Sequence, residues 1–221
     1  MFRFWGSSSF KEFVDAIRVR STENFNWTFI FILAVVFYVY WSEMHKKNYR
    51  IVFAGLALYG VHWLYEIANA IIAKASGYPL WAVSNNSSTF ILLIGVSWEL
   101  SMMFAIAGII SFKMLPQDTK TRWFTFKGKW KGIDCRLVGA ISMALLFALF
   151  ESFLAATSNH SFLWVYPWWG VIPVFFTTYI PFFLASNYVP DMKPRTRNAF
   201  LISEWSLVAL LLIILIPCGV I

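Results

Sequence analysis

Six long apolar runs, separated by short polar stretches, dominate the chain: 25–41, 51–73, 89–112, 137–157, 162–186 and 199–221. Each is close to the ~20 residues that a helix needs to cross the hydrocarbon core of a bilayer. Short alternating segments, the mark of a membrane barrel, are not the pattern. The reading is an all-α integral membrane protein: one six-transmembrane-helix bundle over residues 25–221. Ahead of it, Phe10, Phe13, Val14 and Ile17 repeat at helical spacing, with Lys11, Glu12, Asp15 and Arg18 between them. Residues 1–24 therefore predict an amphipathic interfacial helix that anchors the first span. The fifth run carries Pro167, Pro173 and Pro181. It should be kinked, or start late after an interfacial segment whose Trp164, Tyr166, Trp168 and Trp169 fit an aromatic belt.

Composition agrees with this picture. The 221 residues are 59% hydrophobic, whereas soluble domains are about 45–50% apolar. The net charge of +7 comes from basic residues gathered in loops, so it reads as membrane topology and not as a nucleic-acid surface. The loops after runs one, three and five hold Lys46, Lys47, Arg50, Lys113, Lys120, Arg122, Lys127, Lys129, Lys131, Arg136, Lys193, Arg195 and Arg197. The positive-inside rule puts these loops in the cytoplasm and both termini outside. Glycosylation sequons at Asn26, Asn85, Asn86 and Asn159 all fall on the other face. The membrane would be the endoplasmic reticulum in a eukaryote and the plasma membrane in a prokaryote. Cys135 and Cys218 form no CxxC, so neither a redox pair nor a zinc site is indicated.

The candidate chemistry lies inside the runs. His62, Glu66 and Asn69 stand at i, i+4 and i+7, one face of a helix. Glu99 and Glu151 are two further acids at membrane depth. By position all three carboxyls fall in the non-cytoplasmic half of the bilayer, with His62 near the midplane. Lipid satisfies no polar group, so such residues turn inward to a site. No Lys or Arg lies in the middle of any run. At least one carboxyl is therefore expected to hold its proton at neutral pH, ready to deliver it to a substrate. His62 is the group suited to act as base or shuttle. Glu204, near one end of the sixth run, is expected to snorkel or to pair with Arg197. The single intramembrane histidine and the lack of HExxH, GxSxG and DDxxD patterns argue for no metal and no cofactor.

His62-Trp-Leu-Tyr-Glu66 on the second span, Glu99-Leu-Ser101 on the third and an aromatic fifth span with Pro181 resemble the emopamil-binding protein group, the sterol isomerase-like EXPERA superfamily. Where that group has Asn and Trp before the proline, this chain has Phe175-Phe176-Thr177-Thr178-Tyr179, and it adds a sixth span. The pair Trp98-Glu99 is similar to a Trp-Glu pair of membrane-bound terpene cyclases. Both resemblances imply the same chemistry: an acid protonates an alkene, aromatic rings shield the carbocation, and a base removes a proton. They imply Glu66, Glu99 and His62 as catalytic groups; Asn69, Trp63, Trp98, Glu151 and Tyr179 are the residues expected to touch substrate. The expected function is isomerase or cyclase action on a hydrophobic isoprenoid or sterol-like substrate. The alternative is a proton-coupled transporter or a lipid-binding protein. Membrane lipids are the expected surroundings, and a homodimer is compatible with the sequence.

Overall fold

A computed structural model describes residues 14–23, 27–84, 90–125, 131–157, 162–166 and 168–221. Six helices make the bundle: α1 (Thr28–His45), α2 (Tyr49–Ser76), α3 (Trp98–Lys113), α4 (Cys135–Thr157), α5 (Val171–Asp191) and α6 (Pro194–Leu215). All but α3 are long and apolar enough to span a membrane. Their outer faces are apolar and exposed, as at Phe31 and Phe37 of α1, Phe153 of α4 and Ile213 of α6, while His62, Glu66, Asn69 and Ser101 are buried. That inversion of the water-soluble pattern is what lipid selects. Helix α2 is the hub and packs against α1, α3, α5 and α6, while α4 packs on α5.

The third apolar run departs from expectation. Its helix begins only at Trp98 and has 16 residues, about 24 Å at 1.5 Å per residue. The residues before it form a hairpin, β2 (Ile91–Leu93) with β3 (Val96–Ser97), turning at Ile94-Gly95. Ser97 then caps α3, its Oγ accepting from the Leu100 N–H at 3.3 Å. A short apolar run rich in isoleucine serves a buried strand as well as a helix, which is why periodicity alone did not separate them.

A second small ladder closes the same end of the bundle. Gly77, in the left-handed region at φ 82°, ends α2. The chain then returns along α2 as β1 (Trp81–Val83), which pairs antiparallel with β6 (Phe162–Trp164), Trp81 opposite Trp164. β4 (Arg122–Trp123) pairs with β5 (Ile133–Asp134) elsewhere in the chain. β1 is almost wholly buried. Asn69 holds it down: its Nδ2 donates to Trp81 O at 2.9 Å, and its Oδ1 accepts from Leu80 N at 2.7 Å. Non-helical backbone at this depth is tolerated only where protein satisfies it.

Most of the expected N-terminal interfacial helix, and the four sequons in whole or part, lie outside the described residues. Val14 and Ile17 pack beside Ala82 and Val165. Arg20 donates from its backbone to Ile91 O at 2.8 Å and from its guanidinium to Ile221 O at 3.1 Å. The N-terminal segment and the C-terminus thus meet at the hairpin end.

Helix α5 starts late, at Val171. Its stretch Phe175–Tyr179 is a π-helical turn just before Pro181. Proline has no N–H, so the carbonyl four residues back, Thr177 O, needs another donor. The Tyr65 hydroxyl supplies it at 2.6 Å. The wider turn carries Thr178 and Tyr179 into the core, where both are buried.

The far end of the bundle is tied by charge. Arg50 and Arg136 both reach Asp191, Arg136 Nη2 meets Asp134 Oδ2 at 2.6 Å, and Lys113 Nζ meets Glu43 Oε1 at 2.7 Å. Hydrogen bonding from Arg136 holds the Asp134 carboxyl below the usual carboxylate range. The stability from this pair is present above the unfolded value of about 3.9 and is lost as pH falls through the lower folded value. The melting temperature of purified protein is thus expected to stay flat from about pH 7 to 5 and to decline below about pH 4. Asp134→Asn should lower it at neutral pH by about 2–4 °C, the worth of about 1 kcal/mol in a chain of this size. An unchanged melting curve for that variant would remove Asp134 from the network.

Candidate functional site

The helical spacing of His62, Glu66 and Asn69 puts all three on the buried face of α2. Glu66 lies 10 residues before the end of α2, about 15 Å below it. Because β1 folds back along the helix, Trp81 descends to that depth. Its indole Nε1 donates to both Glu66 oxygens, at 3.1 and 3.2 Å.

The other strand of the ladder repeats the arrangement. Trp164, directly opposite Trp81, donates from Nε1 to Glu151 Oε1 at 2.6 Å. The second oxygen, Glu151 Oε2, accepts a short hydrogen bond from the Tyr179 hydroxyl. Two tryptophans side by side on one ladder thus each hold one acid, from α2 and from α4. In a water-poor interior a carboxyl without a donor is costly. These two find neutral donors in place of cations.

Glu66 and Glu151 line one cavity of about 40 Å³, together with His62, Gly95, Phe104, Phe147, Trp169, Thr178, Tyr179 and Phe182. Among the described residues the lining holds no Lys or Arg. His62 is stacked on Phe104, with ring centroids 4.2 Å apart, and is 1% exposed. Its Nδ1 stands 3.8 Å from Glu66 Oε1, beyond hydrogen-bond length but close enough for a proton to pass after a small shift. Trp169 stacks on Trp81 at 5.7 Å, which makes an aromatic wall. Phe150 lines the cavity and is also 50% exposed on the outside of α4.

The expected site residues therefore divide. His62, Glu66, Glu151 and Tyr179 come together in the cavity. Asn69 is close to them but is spent on fixing β1. Trp63 packs near Leu64 and Val208, and Trp98 lies edge-on to Phe29; neither is among the lining residues. Glu99 sits in the first turn of α3, where a helix N-terminus favours a carboxylate, and it too is absent from the lining. Glu204 does not pair with Arg197. It is buried against Gly60 of α2, and the Arg197 guanidinium stacks over Phe53 at 4.0 Å. Among the described residues no group of three or more His, Cys, Asp or Glu is placed to hold a metal ion.

Sequence reasoning missed Trp81, Thr178 and the roles of Trp164 and Trp169, which read as interfacial belt. Trp168 does have belt-like exposure, at 60%. The signal available was the need of each buried acid for a donor, combined with tryptophans in the loops at the same end of the bundle.

Gly95 is the keystone of this packing. A Cβ there would overlap Asn69 Nδ2, Trp81 Nε1 and Glu66 Oε2. Gly95→Ala is expected to lose about 1–3 kcal/mol of stability through forced displacement of these groups. Gly170→Ala, which meets open space, should leave the melting temperature unchanged. Equal melting of the two variants would refute the close packing of the hairpin on Glu66.

The chain belongs to an uncharacterized membrane protein family, whose profile matches residues 11–217. It is 37% identical to an uncharacterized protein of Archaeoglobus fulgidus over 184 residues, which cover 82% of this chain and 83% of that relative. No solved structure matches the chain.

Proposed function

We propose that this family member is an intramembrane acid/base enzyme, an isomerase or cyclase of a hydrophobic isoprenoid or sterol-like substrate. One observation carries the reading. Two carboxyls and an imidazole line one aromatic cavity at membrane depth, with no cation in its lining. The donor pattern separates the two acids. Glu151 has a donor on each oxygen, which suits a carboxylate. Glu66 has one indole N–H shared between its oxygens, which suits a carboxylic acid. In this reading Glu66 gives its proton to the alkene, and the π pair forms the new C–H bond. The cation that results lies against Trp81, Phe104, Trp169 and Tyr179 and near the Glu151 carboxylate. His62 removes a proton to set the new double bond and returns it to Glu66 through Nδ1.

Substrate would enter from lipid past Phe150, which both lines the cavity and is half exposed on the outside of α4. Further from the hairpin, Leu58, Phe182 and Phe183 are fully buried. A packed floor suits a dead-end cavity better than a transport path. The emopamil-binding protein and terpene cyclase resemblances fit the same chemistry. The proposal includes a sixth membrane crossing, made by α3 together with the β2–β3 hairpin, and places both termini and the hairpin end outside the cytoplasm.

The test is mass spectrometry of lipid extracts from cells expressing wild type or variants. Glu66→Gln and His62→Ala are expected to lower conversion by roughly 10²–10⁴-fold and to accumulate the precursor. Glu99→Gln, outside the cavity, should stay within about tenfold of wild type. If no lipid differs between wild type and folded Glu66→Gln, the protein is not this kind of enzyme.

A further inference from the structure

The cavity is not lined only by carboxyls and rings. Six side-chain atoms among the described residues are buried with no partner in the protein, and three of them belong to cavity-lining residues. They are His62 Nε2 on α2, Thr178 Oγ1 on the π-turn of α5, and Trp169 Nε1 just ahead of α5. Their residues are 1%, 7% and 8% exposed. Three elements thus each contribute to the lining a residue that carries an unpaired polar atom. Buried polar groups in native proteins are paired with protein or with ordered water.

As it stands the space takes only small partners, and an alkene must widen it by displacing side chains such as Phe150. About 40 Å³ is room for about three waters, each of which needs on the order of 10–15 Å³ and two to four polar contacts. A hydrocarbon that filled the cavity alone would leave all three atoms unpaired, which is costly. An enzyme that must protect a carbocation from water would be expected to line its cavity with carbon alone. This lining instead includes three residues with an unpaired polar atom.

We infer that water is the second substrate, held by His62 Nε2, Thr178 Oγ1 and Trp169 Nε1, and that the protein adds it across an isoprenoid double bond to give an alcohol. This rests on the acid-catalysis reading above and specifies its outcome. The balance is complete. The Glu66 proton and the alkene π pair form the C–H bond. A lone pair of the bound water forms the C–O bond to the cation. His62 Nε2 takes the proton that the water oxygen sheds. The proton lost from Nδ1 of the imidazolium crosses the 3.8 Å to Glu66 and restores the acid; the imidazole, left as its Nε2–H tautomer, returns to Nδ1–H by proton exchange with water before the next turnover. The sum is alkene plus water giving alcohol, with no oxidant or reductant. Run backwards, the same groups dehydrate the alcohol.

The experiment uses membranes carrying the full-length protein and, as probe, the lipid extract of cells expressing Glu66→Gln, which holds the unconverted precursor. Incubation in H₂¹⁸O and separately in D₂O is followed by mass spectrometry. The expected product gains one ¹⁸O in the first water and carbon-bound deuterium in the second. Thr178→Val should lower ¹⁸O incorporation on the order of tenfold, the worth of one hydrogen bond, while deuterium still enters recovered alkene. Carbon-bound deuterium without ¹⁸O in the wild type overturns the water inference and leaves isomerase or cyclase action standing. Neither isotope in any lipid overturns both.

Discussion

A carboxyl inside a membrane must find a hydrogen-bond donor within the protein, because lipid offers none. The fold meets that constraint at the hairpin end. Glu66 and Glu151 have no Lys or Arg beside them in the cavity. Loop backbone is instead brought back down into the bundle, so that Trp81 and Trp164 reach the acids from one ladder. Asn69 fastens β1 to α2, and the hairpin turn at Gly95 packs against the Trp81–Glu66 contact. The π-turn of α5 turns Tyr179 to the second acid. Each of these irregular features serves the two carboxyls.

Neutral donors have a chemical consequence that cations would not. An arginine would fix the charge of its carboxylate. An indole N–H supports either protonation state, so the proton stays available for transfer. Of the two rings that deliver these N–H groups, Trp81 also lines the cavity, and the proposed chemistry would use it both as donor and as shield for a developing cation.

How much of this was legible in the chain depends on the length scale of each feature. The apolar runs and the face shared by His62, Glu66 and Asn69 are local patterns, and the helices α2, α4 and α6 follow them closely. The segment Ile91–Leu93 was not legible as a strand, since the five apolar residues in a row from Phe90 to Ile94 fit either state. Pro181 did announce an irregular fifth span, but not that a π-turn would carry Thr178 inward or that Tyr65 would take up the freed carbonyl. The Trp81–Glu66 and Trp164–Glu151 bonds join residues 15 and 13 positions apart through loops whose path no periodicity encodes. Glu204 shows the same limit: an arginine seven residues away suggested a partner, whereas helix packing buried it against Gly60.

The central claim is that Glu66 holds a proton at neutral pH while Glu151 does not. Infrared spectroscopy of the purified protein tests it directly, because a carboxylic acid C=O band is distinct from carboxylate bands and shifts in D₂O. On a Glu204→Gln background, which removes the buried carboxyl packed against Gly60, the account predicts an acid band at neutral pH that disappears in Glu66→Gln and persists in Glu151→Gln. An acid band that survives in Glu66→Gln and vanishes in Glu151→Gln, or no acid band at all, would contradict it.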